Sequence, residues 1–260
     1  MTVAGHGRTA VILAAGMGSR LRSVAPVKPL VEIGGRPLIR HVIDALHGVG
    51  VSQLVVVLGY QADSIAAALD DAPLPVRTVH NPRWDNTPNG VSLLAARDHV
   101  TPGTLLMMAD HLLSRQLLIR LLAGASSPLA LAVDRRLGHP HVDEADVTRV
   151  RTDGNLIRAI GKQLKIYDCY DTGLFSIGPE LIAALDALPS PGLSDGVGVL
   201  ARKGLAQAVD IGDADWLDVD DARALAIAEQ TWAEQAGTEH AGTEHAGAEQ
   251  AWTEQLGVTA

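Results

Sequence analysis

Hydrophobic positions along the first 110 residues fall in short blocks that alternate between two periods. Residues 9–15 form a continuous apolar run with β-branched members that ends at Gly16, as expected of a strand covered on both faces. Beyond Pro37, the positions Leu38, Val42, Ile43, Leu46 and Val49 recur at helical spacing, and Gly50 can stop the helix. Residues 54–58, 76–79 and 105–108 read as further strands, the last running straight to Asp110. Residues 62–69 and 91–99 read as helices. This alternation predicts an α/β fold with a doubly wound, mostly parallel, Rossmann-like sheet. Such sheets bind ligands at the carboxyl ends of their strands, where the Gly16 loop and Asp110 both fall.

From Leu129 the rhythm changes. Residues 129–133, 147–151, 156–160 and 173–177 read as strands joined by short turns, one of them Asp153-Gly154. This predicts an antiparallel, hairpin-rich extension of the same sheet, suited to binding an acceptor. A helix over 179–188, short strands at 208–211 and 216–219, and a helix over 222–230 complete a domain spanning 1–230. Its nucleotide-binding half is expected at 9–128 and its acceptor-binding half at 129–230. Residues 231–260 instead repeat every five positions, as in Ala236-Gly-Thr-Glu-His and Ala241-Gly-Thr-Glu-His. A period of five fits neither strand nor helix, so an acidic, disordered or partly helical tail is expected. Its Trp232 and Trp252 could dock on the body or on a partner, but a repeat tail without function is the plainer reading.

Composition narrows the partners. Aromatic residues make up 3% of the 260 positions, so the core must come from aliphatic side chains. A formal charge of −9 argues against a nucleic-acid surface. The single Cys169 excludes an intrachain disulfide and a multi-cysteine zinc site. No apolar run approaches the ~20 residues of a membrane span. Arg8 before the apolar 10–15 block imitates a short leader, but the block is too short and is followed at once by Gly16, Gly18 and Arg20. A soluble, cytoplasmic protein is expected.

The chemistry concentrates in two places. The loop Leu13-Ala-Ala-Gly-Met-Gly-Ser-Arg-Leu21 is followed by Lys28-Pro-Leu. Its glycines let backbone N–H groups approach phosphate oxygens, and Arg20 and Lys28 add charge. No Gly-Lys-Ser/Thr follows, and Leu21 stands where a dinucleotide loop needs its third glycine, so neither common nucleotide motif applies. Asp110 after its strand, and Asp218 with Asp220 in Trp216-Leu-Asp-Val-Asp220, supply hard oxygen donors. Strand alternation would put the latter two on one face, and such donors suit Mg2+. The plainer readings are a turning glycine, a helix cap at Asp110 and a solvated strand face at Asp218 and Asp220. Asn89, Gly90 and Ser92 open a helix and could serve only to cap it.

Together these segments resemble the signature of sugar-phosphate nucleotidyltransferases, over roughly residues 9–229. Val27 departs from the proline usual before the lysine. The resemblance implies that Leu13, Ala14, Ala15, Gly16, Gly18 and Ser19, with the catalytic Arg20 and Lys28, hold the incoming triphosphate. It implies that Asp110, Asp218 and Asp220 bind a catalytic Mg2+, and that Asn89, Gly90 and Ser92 lie against the base. The stretches Ile160-Gly-Lys-x-Leu, Asp168-Cys-Tyr-Asp-Thr-Gly-Leu-Phe175, Asp110-His111 and Asn89-Gly-x-Ser-Leu-Leu look most like inositol-1-phosphate cytidylyltransferases, with Ala109 replacing the usual glycine. Such enzymes make CDP-inositol and pyrophosphate from CTP and inositol 1-phosphate. Lys162 would face the acceptor phosphate, and Asp134, Asp171, Thr172 and Gly173 would line the acceptor pocket; His111 is open between substrate contact and structure.

Alternatives are a different acceptor (another sugar or cyclitol phosphate, phosphocholine or a phosphonate) with CTP, UTP or GTP. Phosphocholine is disfavoured because few rings are available for an aromatic cage. A glycosyltransferase could use Asp218-Val-Asp220, but its Asp-x-Asp would lie mid-chain. A non-catalytic nucleotide-binding regulator would be expected to lack a carboxylate or a loop cation.

Overall fold

A computed structural model describes residues 7–21 and 26–231; the repeats from 232 on, with Trp232 and Trp252, lie outside the described residues. In chain order the elements are β1 (Arg8–Ala14), β2 (Glu32–Ile33), β3 (Arg36–Pro37), α1 (Leu38–His47), β4 (Val51–Leu58), α2 (Ala62–Ala67), β5 (Val76–His80), α3 (Asn89–Ala95), β6 (Thr104–Met108), β7 (His111–Leu113) and α4 (Arg115–Gly124). They continue with β8 (Leu129–Asp134), β9 (Arg149–Asp153), β10 (Leu156–Gly161), β11 (Cys169–Ile177), α5 (Pro179–Asp186), α6 (Leu193–Arg202), β12 (Ala206–Asp210) and β13 (Trp216–Asp218). A last helix, α7, covers 222–231.

One nine-stranded sheet carries the molecule, in the order β5-β4-β1-β6-β11-β8-β12-β10-β9. The first four strands are mutually parallel. Strand β11 then enters antiparallel to both β6 and β8, while β12 runs parallel to β8. The sheet is therefore mixed. The β9–β10 hairpin forms at the edge around Asp153-Gly154, with Gly154 at φ 59°.

The apolar run of β1 explains its central place. Ala10, Ile12 and Ala14 enter one core, with Ile39, Val42 and Leu46 of α1 and Leu117 of α4. Val11, Leu13 and Ala15 enter the opposite core, with Leu93 of α3, Leu181 of α5 and Val197 of α6. Alternation thus buries both faces of the strand under helices. A third cluster joins Leu21, Ile33, Leu38, Leu112, Leu217 and Val219. It ties the segment after the glycine loop to β7 and β13, which pair antiparallel with His111 opposite Asp218.

Several elements depart from the expected layout, the short β2–β3 pair ahead of α1 among them. The polypeptide after Asp110 first makes β7 and turns helical only at Arg115, so Asp110 is not a helix cap. Helix α6 was not apparent in the hydrophobic pattern because Gly196 and Gly198 lie inside it, and glycine disfavours helix. Gly196 is there for contact: a Cβ would lie 2.6 Å from a methyl of Leu185 on α5.

Asp134, expected at the acceptor, is not among the residues that wall the cleft described below and is paired within the protein. Its side chain is fully buried at the end of β8, and it accepts bonds from Arg136 Nε at 2.9 Å and from Trp216 Nε1 at 2.8 Å. Burial works against its charge, yet the Arg136 and Trp216 bonds hold its pKa below the usual carboxylate range. Its contribution to stability is present above the carboxylate's unfolded pKa and is lost as pH falls through the folded value. Asp134→Ala leaves a guanidinium and an indole N–H without their acceptor, so urea unfolding should show a loss of about 3 kcal/mol; a negligible loss contradicts this pairing.

Candidate active site

The site forms where β1, β6 and β13 end. After Ala14 the chain turns through Gly16 and Gly18, and Gly18 adopts φ 61°. A Cβ on Gly18 would lie 2.7 Å from the Cβ of Lys28, so glycine serves both the backbone and the close passage of the lysine stem. Pro29 sits in the 3-10 turn Lys28–Leu30 that presents this lysine.

Lys28 is 4% exposed. Its Nζ donates to Asp110 Oδ2 at 2.7 Å and to Asp220, and lies 3.6 Å from Asp218 Oδ1. Burial disfavours the ammonium, but these three carboxylates outweigh it and raise its pKa above the ordinary lysine value. Asp110 shows the reciprocal effect: burial opposes its charge, and Lys28 with His111 brings its pKa well below the usual carboxylate range. Sequence alternation placed Asp218 and Asp220 on one side, and both meet Lys28 here.

His111 closes the back of the cluster. Its Nδ1 bonds Asp110 Oδ1 at 2.8 Å, and its ring stacks on Trp216 with centroids 6.4 Å apart. Burial lowers its basicity, but Asp218 and Asp110 raise its pKa to about 9. Gly173 makes room for the ring, because a Cβ there would lie 2.5 Å from His111 Cδ2, and its φ is 78°. The β11–β8 register shifts between Asp171 and Phe175, a bulge that carries Asp171 to the cleft wall. Asp171 accepts from the Gly173 N–H at 2.8 Å, and burial pushes its pKa up to about 6.

Two sets of donor atoms, Asp110 with His111 and Asp218, and Asp146 with Asp218 and Asp220, each lie within 4.8 Å of one another. Asp218 Oδ1 is buried and, among the described residues, has no hydrogen-bond partner; burial and the neighbouring Asp110 raise its pKa. A buried carboxylate oxygen that accepts no hydrogen bond, with Lys28 Nζ no nearer than 3.6 Å and hard oxygen donors around it, fits a divalent cation.

The cleft has a volume of about 300 Å3 and is walled by Arg20, Asn89, Asp110, Lys162, Asp171 and Asp218 among others. Arg20 pairs with Asp220 and with Asp146 at 2.5 Å, and Asp146 holds Lys162 at 2.6 Å. The cleft thus joins residues from both halves of the chain. Other expected contacts lie back from it. Ser92 is buried and accepts from Asn81 Nδ2 at 3.0 Å. Gly90 is packed on the next segment, since a Cβ would lie 2.5 Å from Pro191 O. Thr172 is buried and donates to Ala132 O at 2.9 Å, bracing β11 on β8. Asn89 remains in the wall, with Oδ1 accepting from the Leu193 N–H at 2.8 Å. Asp146 had not been picked out from the sequence. Its one signal is the acidic run Asp143-Glu-Ala-Asp146, which reads equally as a solvated loop.

Comparison with known proteins shows the family of the chain. A family profile, the MobA-like NTP transferase domain, matches residues 10–168. A bifunctional IPC transferase and DIPP synthase of Rubrobacter xylanophilus is 33% identical over 234 residues, 88% of this chain and 53% of that protein. A CMP-5'-(3-aminopropyl)phosphonate synthase of Streptomyces rubellomurinus is 31% identical over 237 residues, 82% of this chain and 37% of that protein. The chain therefore spans about half the length, or less, of these curated relatives. The inositol-1-phosphate CTP transferase from T. maritima superposes with a TM-score of 0.77 at 24% identity, covering 85% of this chain and 92% of that one; this likeness is one of fold.

The environment of His111 gives a direct check. In metal-free protein its ring should titrate near pH 9 by NMR. The stability it confers is complete below the unfolded histidine pKa and is lost as pH rises through 9. A midpoint near the ordinary ~6.5 would show that the two aspartates do not share the ring.

Proposed function

We propose that this chain, which belongs to the MobA-like NTP transferase domain family, is a CTP:inositol-1-phosphate cytidylyltransferase that forms CDP-inositol and pyrophosphate. The observation that carries this reading is the meeting of the early loop cations, Arg20 and Lys28, with the late carboxylates Asp218 and Asp220 in one cleft. CTP and inositol 1-phosphate are favoured by the likeness to the T. maritima inositol-1-phosphate CTP transferase and by the motif resemblance.

Asp110, Asp218 and Asp220 would hold Mg2+, which when bound neutralises charge on the triphosphate and the departing pyrophosphate. The backbone from Leu13 to Ser19 and the Arg20 guanidinium take up the triphosphate. Lys28 fixes the three carboxylates relative to that loop. Asn89 forms the wall against the base. Lys162 pairs with the acceptor phosphate, and Asp171, at the bulge, accepts from acceptor hydroxyls. One acceptor phosphate oxygen forms the new bond to the α-phosphorus as the bond to pyrophosphate breaks. That oxygen is already ionised at neutral pH, so no general base is required and the residues act by positioning. The place of action is the cytoplasm, where CTP is available; among the described residues no helix is long and apolar enough to cross a membrane.

A phosphonate acceptor is the second reading, favoured by the Streptomyces relative. A matrix of four nucleoside triphosphates against inositol 1-phosphate, sugar 1-phosphates and aminoalkylphosphonates, scored by pyrophosphate release, separates the two. The highest kcat/KM is expected for CTP with inositol 1-phosphate. Preference for a phosphonate would transfer the assignment to that class, and no turnover with any pair would sink both. Asp110→Asn and Arg20→Ala should each lower kcat/KM by roughly 100-fold with an unchanged circular dichroism spectrum. Near-wild-type rates would remove the residue from the mechanism.

A further inference from the structure

Asp146 lies between the two substrate sides of the cleft. Its Oδ2 accepts from Arg20 Nη2 at 2.5 Å, and its Oδ1 accepts from Lys162 Nζ at 2.6 Å. One carboxylate therefore bridges the cation of the glycine loop and the cation that follows β10. The other acidic groups nearby do not share this geometry. Asp143 reaches Arg20 alone, at 3.9 Å, and Asp220 contacts Arg20 and Lys28. Among the described residues, only Asp146 is paired with both Arg20 and Lys162.

The bridge is built to be exchanged. Side-chain exposure is 46% for Arg20, 52% for Lys162 and 30% for Asp146. Ion pairs this open to water are weak and give way readily to competing anions. A phosphate offers the same recognition feature, two anionic oxygens on one centre, with more charge.

We propose that Asp146 is a placeholder for phosphate. In the ligand-free chain its carboxylate stands where a substrate phosphate bridges Arg20 and Lys162, and it leaves both cations when that phosphate enters. The inference rests on the assignment of Arg20 and Lys162 to substrate phosphates in the proposed function. It adds that the two cations are kept at a phosphate-bridging separation before substrate arrives. It also means that a weakly charged anion must displace a doubly held carboxylate, which biases the cleft toward phosphate.

The test is calorimetric titration of the full chain with inorganic pyrophosphate in the presence of EDTA, so that no divalent cation contributes. Asp146→Asn keeps the shape and removes the competing charge, and should tighten binding by about three- to tenfold. Asp143→Asn, which removes an equal charge that reaches only Arg20, should tighten it by less. Both variants should melt at the wild-type temperature. Unchanged or weaker binding in Asp146→Asn, with wild-type binding still lowered by Lys162→Ala, would overturn the placeholder and leave the proposed pocket standing. No pyrophosphate binding by wild type or Asp146→Asn, or binding indifferent to Lys162→Ala, would also overturn the placeholder, while the proposed function stands or falls separately on the matrix of nucleotides and acceptors.

Discussion

The buried ammonium of Lys28, held among Asp110, Asp218 and Asp220, is the interaction on which the site depends. Each carboxylate arrives from a different part of the chain's path: the end of β6, the end of β13 and the segment just beyond it. An ammonium at 4% exposure would be strongly disfavoured without partners. Three carboxylates in so small a space would repel one another without it. Neither arrangement is stable alone, so the glycine loop and the acidic strand ends must come together. The same crowding leaves Asp218 Oδ1 without a hydrogen-bond partner, and that residual demand points to a cation of higher charge.

Behind this cluster runs a line of support. His111 is fixed by Asp110 on its edge and by Trp216 against its face. Trp216 is fixed in turn by its bond to Asp134, which Arg136 neutralises. Gly173 and the β11 bulge open the space that the imidazole fills. The site's geometry thus continues through hydrogen bonds into the sheet, and the parallel and antiparallel parts of the sheet meet at this point. A cleft built across that junction can position a nucleotide and an acceptor from opposite halves of one chain.

Much of this could be read along the chain, and the reasons are local. A buried parallel strand announces itself by an unbroken apolar run, and glycines with cations at fixed offsets announce a phosphate loop. Asp110, Asp218 and Asp220 could be named because strand ends and alternation constrain where they point. Long-range pairing leaves no such trace. The β7–β13 pairing that separates Asp110 from α4 involves three-residue strands about a hundred positions apart. Asp134 lay at a strand end like Asp110, and only its partners Arg136 and Trp216 distinguish the two roles. Gly90 and Gly196 look like freedom for a ligand or a break in a helix, and both prove to be contact points with Pro191 and Leu185. Asp146 was hidden in an ordinary acidic loop because its meaning comes from two cations elsewhere in the sequence.

In the proposed enzyme, one cleft gathers phosphate-binding cations and metal-binding carboxylates. Anomalous scattering from crystals grown with Mn2+ and CTP tests it most directly. A manganese peak is expected among Asp110, Asp218 and Asp220, with triphosphate density against the loop from Leu13 to Arg20. A peak or a nucleotide located elsewhere on the molecule would contradict it.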